Sequence, residues 1–311
     1  MTPTVLVTGG SGFVGRRVVR ELRRQAVGLR VLRHRSPVPA ADDGLQTVAA
    51  DLADPRTLRG VCAGVDVLVH CAAQIGGDEA ANHAVNARGT AALVAEARRA
   101  GVGRIVQLST ASVYGRGVFR DARPEELERR PGSPTSRSRA LAEDAVLAEG
   151  GVVLRPHLVY GDGDRWVGPG LARLLRALPG AVDGWPARST LIDVRDLARL
   201  LVGAALAPTV GRGAVHHAGH PEPVPVRALL AAVAEAAGLP RPEREVDERA
   251  ARAALAADGL DPDRLDLLTK DHVFECGRLW AGLGLEPGAP FAAGFRRAAP
   301  WYRELLAPVR L

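Results

Sequence analysis

With 311 residues, 47% of them hydrophobic, the chain is long enough to bury a large core, as one large domain or two intimate ones. Its formal net charge of +6 is spread along the sequence and not gathered into a basic arm, which argues against a nucleic-acid partner. Cys62, Cys71 and Cys276 lie far apart without a zinc or CxxC spacing, the first strand begins at Thr4 where a signal peptide would stand, and no apolar run is long enough to span a bilayer. A reduced, cytoplasmic protein with no membrane partner is expected.

The first element is Thr4 to Thr8, a β-branched run that reads as a buried strand. Gly9, Gly12 and Gly15 follow at the spacing G-x-x-G-x-x-G, and Phe13, Val14, Val18, Val19 and Leu22 then recur at helical intervals. Strand, glycine turn and helix start in this order predict a dinucleotide site. Small residues let the backbone approach the pyrophosphate, and free N–H groups at the helix start face its charge. The contacts expected from this turn are Gly9, Ser11, Gly12, Phe13, Val14 and Gly15.

Leu29 to Leu32 reads as a second strand, ending on Arg33-His34-Arg35. An acidic residue there would hold the 2′-hydroxyl of NAD. Arg33 and Arg35 would instead pair with a 2′-phosphate, so NADP(H) is the expected cofactor. Asp51 and Leu52, at the end of a third strand, fall within reach of the adenine. Val65 to Cys71 is a fourth, apolar strand, closing on Ala72, a small residue that leaves room for the cofactor. Ala80 to Gly101 is helical and carries Asn86, and Arg104 to Ser109 is a fifth strand. This alternation predicts an α/β, Rossmann-type doubly wound parallel sheet. Helical spacing recurs at Gly170–Leu178 and Val226–Ala237, and Ala214–Ala218 reads as a strand returning to the large sheet. His216, His217 and His220 are not expected to bind metal, because His216 and His217 face opposite sides of a strand and no carboxylate or cysteine joins them.

Taken together, TGGSGFVG (Thr8–Gly15), Asp51-Leu52, HCAA (His70–Ala73), VNARGT (Val85–Thr90), STASVYG (Ser109–Gly115), LRPHLVYGDGD (Leu154–Asp164), LIDVRDLA (Leu191–Ala198) and WYREL (Trp301–Leu305) resemble the extended short-chain dehydrogenases/reductases of the epimerase/dehydratase branch, over essentially the whole chain. The resemblance implies an NADP-binding Rossmann domain over residues 1–160, joined later by about 191–220, and a mainly substrate-binding lobe over 161–311. It also implies cofactor contacts from Asn86, Arg139 and Pro156, and a monomer or a homodimer.

One family motif is broken. The working acid is normally the tyrosine of Y-x-x-x-K after an S-P turn. Here Ser133-Pro134 is followed by Thr135 at the tyrosine position and Arg139 at the lysine position. A threonine hydroxyl cannot be tuned into a general acid as a phenol can, and arginine keeps its charge without relaying protons. Thr110, at the position of the catalytic serine/threonine, is retained. The expected catalytic set is therefore Thr110, Thr135, Arg139 and His157, the last because an imidazole near neutral pKa would border the nicotinamide.

The altered triad is similar to that of atypical ketoreductases from aromatic-polyketide pathways of the simocyclinone (angucyclinone) type. That implies NADPH-dependent reduction of a polycyclic ketone, with the proton coming from the substrate, from water or from His157. Two alternatives stand beside it: a non-catalytic NADP-binding redox sensor, and a sugar-nucleotide epimerase or dehydratase, which would need the missing base.

Overall fold

The structure is a computed structural model that describes residues 2–34, 45–207, 209–240 and 244–307. Seven parallel strands form the large sheet: β1 (Thr4–Thr8), β2 (Gly28–Arg33), β3 (Leu45–Ala49), β4 (Val67–His70), β5 (Arg104–Leu108), β6 (Val152–Arg155) and β7 (Val215–His217). Their spatial order is β3-β2-β1-β4-β5-β6-β7, so the chain reverses direction across the sheet between β1 and β4. Ligands of such sheets bind beyond the carboxyl ends of the strands at this crevice. The strands read as apolar runs because both faces are covered. Val5, Val7, Val31 and Val69 pack under the Gly15–Leu22 and Val194–Leu206 helices, while Leu6, Leu68 and Ile105 pack under Thr90–Arg99.

β7 pairs with β6 through His216↔Leu154, so the returning strand is where its sequence places it. One segment departs from the expected partition. Phe119–Ala122 lies before residue 160, yet it leaves the large sheet and joins a four-stranded sheet of the lobe beside His272–Phe274. The reason is packing: Phe119 and Ala122 bury themselves against Tyr114 and Phe274.

The lobe has its own core, built by the Val167–Ala177, Val226–Ala236, Glu248–Ala257 and Phe291–Leu306 helices around Leu229, Phe295 and fully buried Tyr302. Tyr302 reaches back to the crevice. Its hydroxyl donates to the Asp164 carboxylate at 2.9 Å and accepts from Gly161 N–H at 3.0 Å. Asp164 in turn accepts from the N–H groups of Trp166, Val167 and Gly168, which fixes the start of the Val167 helix. Among the described residues, no helix is long and apolar enough to cross a membrane.

Candidate active site

The glycine turn closes the bottom of the crevice with almost no space to spare. Gly9 has φ +70°, and a Cβ there would lie 2.7 Å from Ala72 N. A Cβ on Gly12 would lie 3.2 Å from the Gly9 carbonyl oxygen, and one on Gly15 would run into the same atom. Only glycine fits at Gly9 and Gly15, and Gly12 is tight, so the backbone packs closely where the Gly15–Leu22 helix begins and its first N–H groups face the crevice. Gly10 belongs to the same packing, with a Cβ there falling 2.6 Å from Val31 Cγ1. Ser11 is exposed, Phe13 and Val14 are half-buried, and the cradle fits a dinucleotide pyrophosphate.

On the adenosine side, Arg33 is exposed at the end of β2; Arg35 lies outside the described residues. The Asp51 carboxylate has partners that the sequence does not announce. It lies 3.0 Å from His34 Nε2 and accepts from Ala53 N–H at 2.8 Å. Leu52 is buried in the core, with Gly89 pressed so close that a Cβ there would meet Leu52 Cβ at 2.9 Å. The same contact accompanies a widened π-turn over His83–Gly89 in the predicted Ala80–Gly101 helix. Beneath the crevice, His70 bridges the hydroxyls of Thr8 (2.7 Å) and Thr90 (2.9 Å), and burial pushes its imidazole down to about 3, so the ring is neutral. Burial likewise pushes the Cys71 thiol up to about 12, away from thiolate chemistry.

At the nicotinamide end, Arg139 is buried and donates to the Leu108 carbonyl at the tip of β5. Burial disfavours its charge, and Glu143 one turn later offsets part of that cost. Thr110 is half-buried. Its hydroxyl accepts from Ser112 N–H at 3.1 Å and donates to Ser112 Oγ at 3.0 Å. The Pro156 carbonyl accepts from Ala111 N–H at 2.8 Å, tying the end of β6 to this turn.

Two expected residues are placed differently. Thr135 donates its hydroxyl hydrogen to Asn82 Oδ1 at 3.0 Å and accepts from Gly76 N–H at 3.3 Å, so its proton is directed into the protein. His157 stacks on His272 with ring centroids 5.1 Å apart, and its Nε2 is buried without a partner. Burial, reinforced by the His272 and His217 imidazoles, drives its pKa well below the usual histidine range. The expectation of an imidazole titrating near neutral pH is thereby corrected. Asn86 also turns inward: its amide takes both backbone groups of Gln74, at 2.7 and 2.9 Å, and shapes the crevice wall from behind. His217 is bound at Nε2 by Tyr114.

A cleft of about 970 Å³ opens between this end and the lobe. Leu158, Val167, Leu171, Leu174, Leu229 and Leu267 supply an apolar wall, Trp166 stands at 59% exposure, and Ser112, Ser136 and His272 supply polar atoms. Of its three lining arginines, Arg116 is paired with Asp261 and Asp263 and Arg130 with Glu128, and Arg264 and Asp266 complete a charged side. Behind the site runs a buried polar chain. Glu143, fully buried, accepts from Arg155 at 2.9 and 2.5 Å and from Ser109, and Arg155 also donates to the Tyr114 hydroxyl at 2.7 Å.

Residues 5–215 match the NAD dependent epimerase/dehydratase family. The chain belongs to this family. Among its relatives, it is 34% identical over 270 residues to the 2-alkyl-3-oxoalkanoate reductase of Stenotrophomonas maltophilia, covering 79% of each chain. It is 31% identical over 261 residues to the 4-hydroxy-2-methyl-3-oxo-4-farnesyl-3,4-dihydroquinoline-1-oxide ketoreductase of Stigmatella aurantiaca, covering 80% of this chain and 77% of that one. Solved structures share the family architecture. WbmH of Bordetella bronchiseptica in complex with NAD+ superposes with a TM-score of 0.77 at 23% identity over 98% of this chain and 99% of that one. MoeE5 in complex with UDP-glucose and NAD superposes with a TM-score of 0.72 at 26% identity over 97% and 99%.

Within this family frame, the site residues that sequence reasoning passed over are Asn82, Ser112, Trp166, Glu143 and His34. Ser112 had a signal, standing two residues after Thr110 in STASVYG. Asn82 and Glu143 had none, because their partners are distant in sequence.

Proposed function

We propose that the protein reduces a ketone with NADPH, and that the substrate is a polycyclic, aromatic-polyketide-like ketone bound in the leucine-walled cleft. The observation that carries this reading is the cleft itself. Leucines and Val167 form one apolar wall beside an exposed indole, Arg116 and Arg130 are paired with carboxylates, and Asp261, Asp263 and Asp266 line the charged side together with Arg264. Such a lining suits a flat apolar molecule better than the pyrophosphate of a sugar nucleotide. The names of the two reductase relatives, an oxoalkanoate and a farnesyl-quinoline ketone, support the same direction. Arg33 at the end of β2 supports NADPH.

When bound, the cofactor supplies the hydride. The chain's own residues orient and polarise the carbonyl. Thr110 donates to Ser112, which leaves the Ser112 hydrogen for the carbonyl oxygen at the cleft. Arg139 places a buried positive charge beside the strand end and stands ready to hold the nicotinamide ribose. Thr135 and His157 are not proton donors in this scheme. The proton reaches the oxygen from water or from a phenol flanking the ketone, which would share an internal hydrogen bond with the developing alkoxide. NADPH oxidation against hydroxyaryl ketones, 3-oxoalkanoates and UDP-sugars tests the reading. Turnover confined to UDP-sugars, or tight NADP binding without any turnover, would replace it with the epimerase or the sensor.

A further inference from the structure

The hydroxyl of Thr135 belongs to a clasp around the loop that follows β4. Thr135 accepts from Gly76 N–H, Asn82 Nδ2 donates to the carbonyls of Gly76 (2.8 Å) and Asp78 (2.8 Å), and Asn86 takes the N–H and carbonyl of Gln74. Three side chains thus hold five backbone groups within five residues. Asn82 is 0% exposed and Asn86 2%, so the clasp is anchored in the core. Gly76 and Gly77 both have positive φ, at +72° and +80°, which a looser loop would not need. The clasped loop carries Ile75 outward at 47% exposure.

Across from it stands Trp166. A Cβ on Gly76 would come within 3.8 Å of Trp166 Cη2, so the loop passes close beside the indole. The backbone N–H of Trp166 is held by the Asp164 carboxylate that Tyr302 fixes. An exposed Trp166 lining the cleft and an exposed Ile75 on the neighbouring clasped loop are two large apolar groups of the kind a flat substrate needs as a grip.

We infer that Thr135 is a positioning residue: it locks the Gln74–Asp78 loop so that Ile75 and Trp166 form the two lips that grip a flat apolar substrate. The position that carries the proton donor in the family's motif has here become part of the substrate's wall. A tyrosine at 135 could not make the same contacts, because a phenol places its oxygen well beyond the Gly76 backbone. A valine keeps the shape and removes both hydrogen bonds, leaving Gly76 N–H without its side-chain acceptor and Asn82 Oδ1 with Asn86 Nδ2 at 3.4 Å.

The identity of what is gripped rests on the proposed ketone reduction. The test uses the full chain as wild type, Thr135→Val, Thr135→Ser and Trp166→Ala, with steady-state kinetics on a polycyclic hydroxyaryl ketone and hydrogen exchange of residues 74–78. Thr135→Val should raise KM about tenfold while changing kcat less than about threefold, and should speed exchange in the loop. Thr135→Ser should restore both, and Trp166→Ala should raise KM by a similar factor without altering the exchange. A kcat loss of about a hundredfold in Thr135→Val at constant KM would overturn the inference and make the hydroxyl a reacting donor. Unchanged KM, or unchanged exchange, would also overturn it. If the wild type reduces no ketone, the reductase reading fails, whereas the exchange measurement still judges the clasp.

Discussion

The hydroxyls of Thr110 and Ser112 lie 3.0 Å apart, and of the two it is Ser112 that lines the cleft. In the proposed reaction the threonine orients the serine, and the serine faces the bound ketone. Ser112→Ala should lower kcat by about a hundredfold, as for other oriented donors to a developing oxyanion, and Thr110→Ala should fall in the same direction by about tenfold or more. Steady-state kinetics on one ketone compares them. Wild-type kcat in both variants would place the reacting oxygen elsewhere.

Cofactor choice should follow the charge at the end of β2. One guanidinium–phosphate pairing is worth about 1.5–3 kcal/mol, so NADPH should be preferred over NADH by roughly ten- to a hundredfold. Arg33→Asp should shrink or invert that ratio, as read by titrating each cofactor into the protein. An unchanged ratio would leave Arg33 without this role.

Arg139→Ala should act mainly on cofactor affinity. The side chain is buried beside the Leu108 carbonyl, where a bound ribose would find the only altered member of the motif that still carries a charge. Calorimetric binding of NADP+ checks this. Retained affinity together with a hundredfold loss in kcat would instead give the arginine a purely electrostatic role in the reaction, on the order of 3 kcal/mol.

Acid should destabilise the fold before it changes the chemistry. His70 and His217 are held neutral by burial, with pKa values pushed down to about 3 and about 4. Because these lie below the unfolded value of about 6.5, the unfolded chain binds protons first. Stability is therefore fully present above about pH 6.5 and declines progressively as the pH falls to about 4 for His217 and about 3 for His70, each imidazole costing on the order of 2 kcal/mol by about pH 5. Thermal unfolding across this range should show Tm level above neutrality and falling below about pH 6.5. A Tm that rises on acidification would contradict the buried neutral assignment.

Much of the architecture is legible because it rests on local patterns. The β-branched run before Gly9, the three-residue glycine spacing and the alternation of apolar strands with helices each encode their own element. The returning strand at Val215–His217 is visible for the same reason. The placement of Phe119–Ala122 is not, since it depends on Phe274 and its strand, far along the chain. The site divides similarly. The loss of tyrosine and lysine is plain in the sequence, but the partners of Thr135 are the buried amide of Asn82 and a backbone N–H 59 residues away, which no spacing announces. His157 looks like a titrating base only until its burial against His272 is known.

The most direct measurement follows the hydride. NADPH deuterated at the transferring position of the nicotinamide, incubated with the purified protein and a polycyclic hydroxyaryl ketone, should give an alcohol carrying deuterium on the carbinol carbon, with NADP+ formed in equal amount. Binding of the labelled cofactor with no deuterium in any ketone product, or conversion of a UDP-sugar with no net oxidation of NADPH, would contradict the assignment of this chain as a ketone reductase.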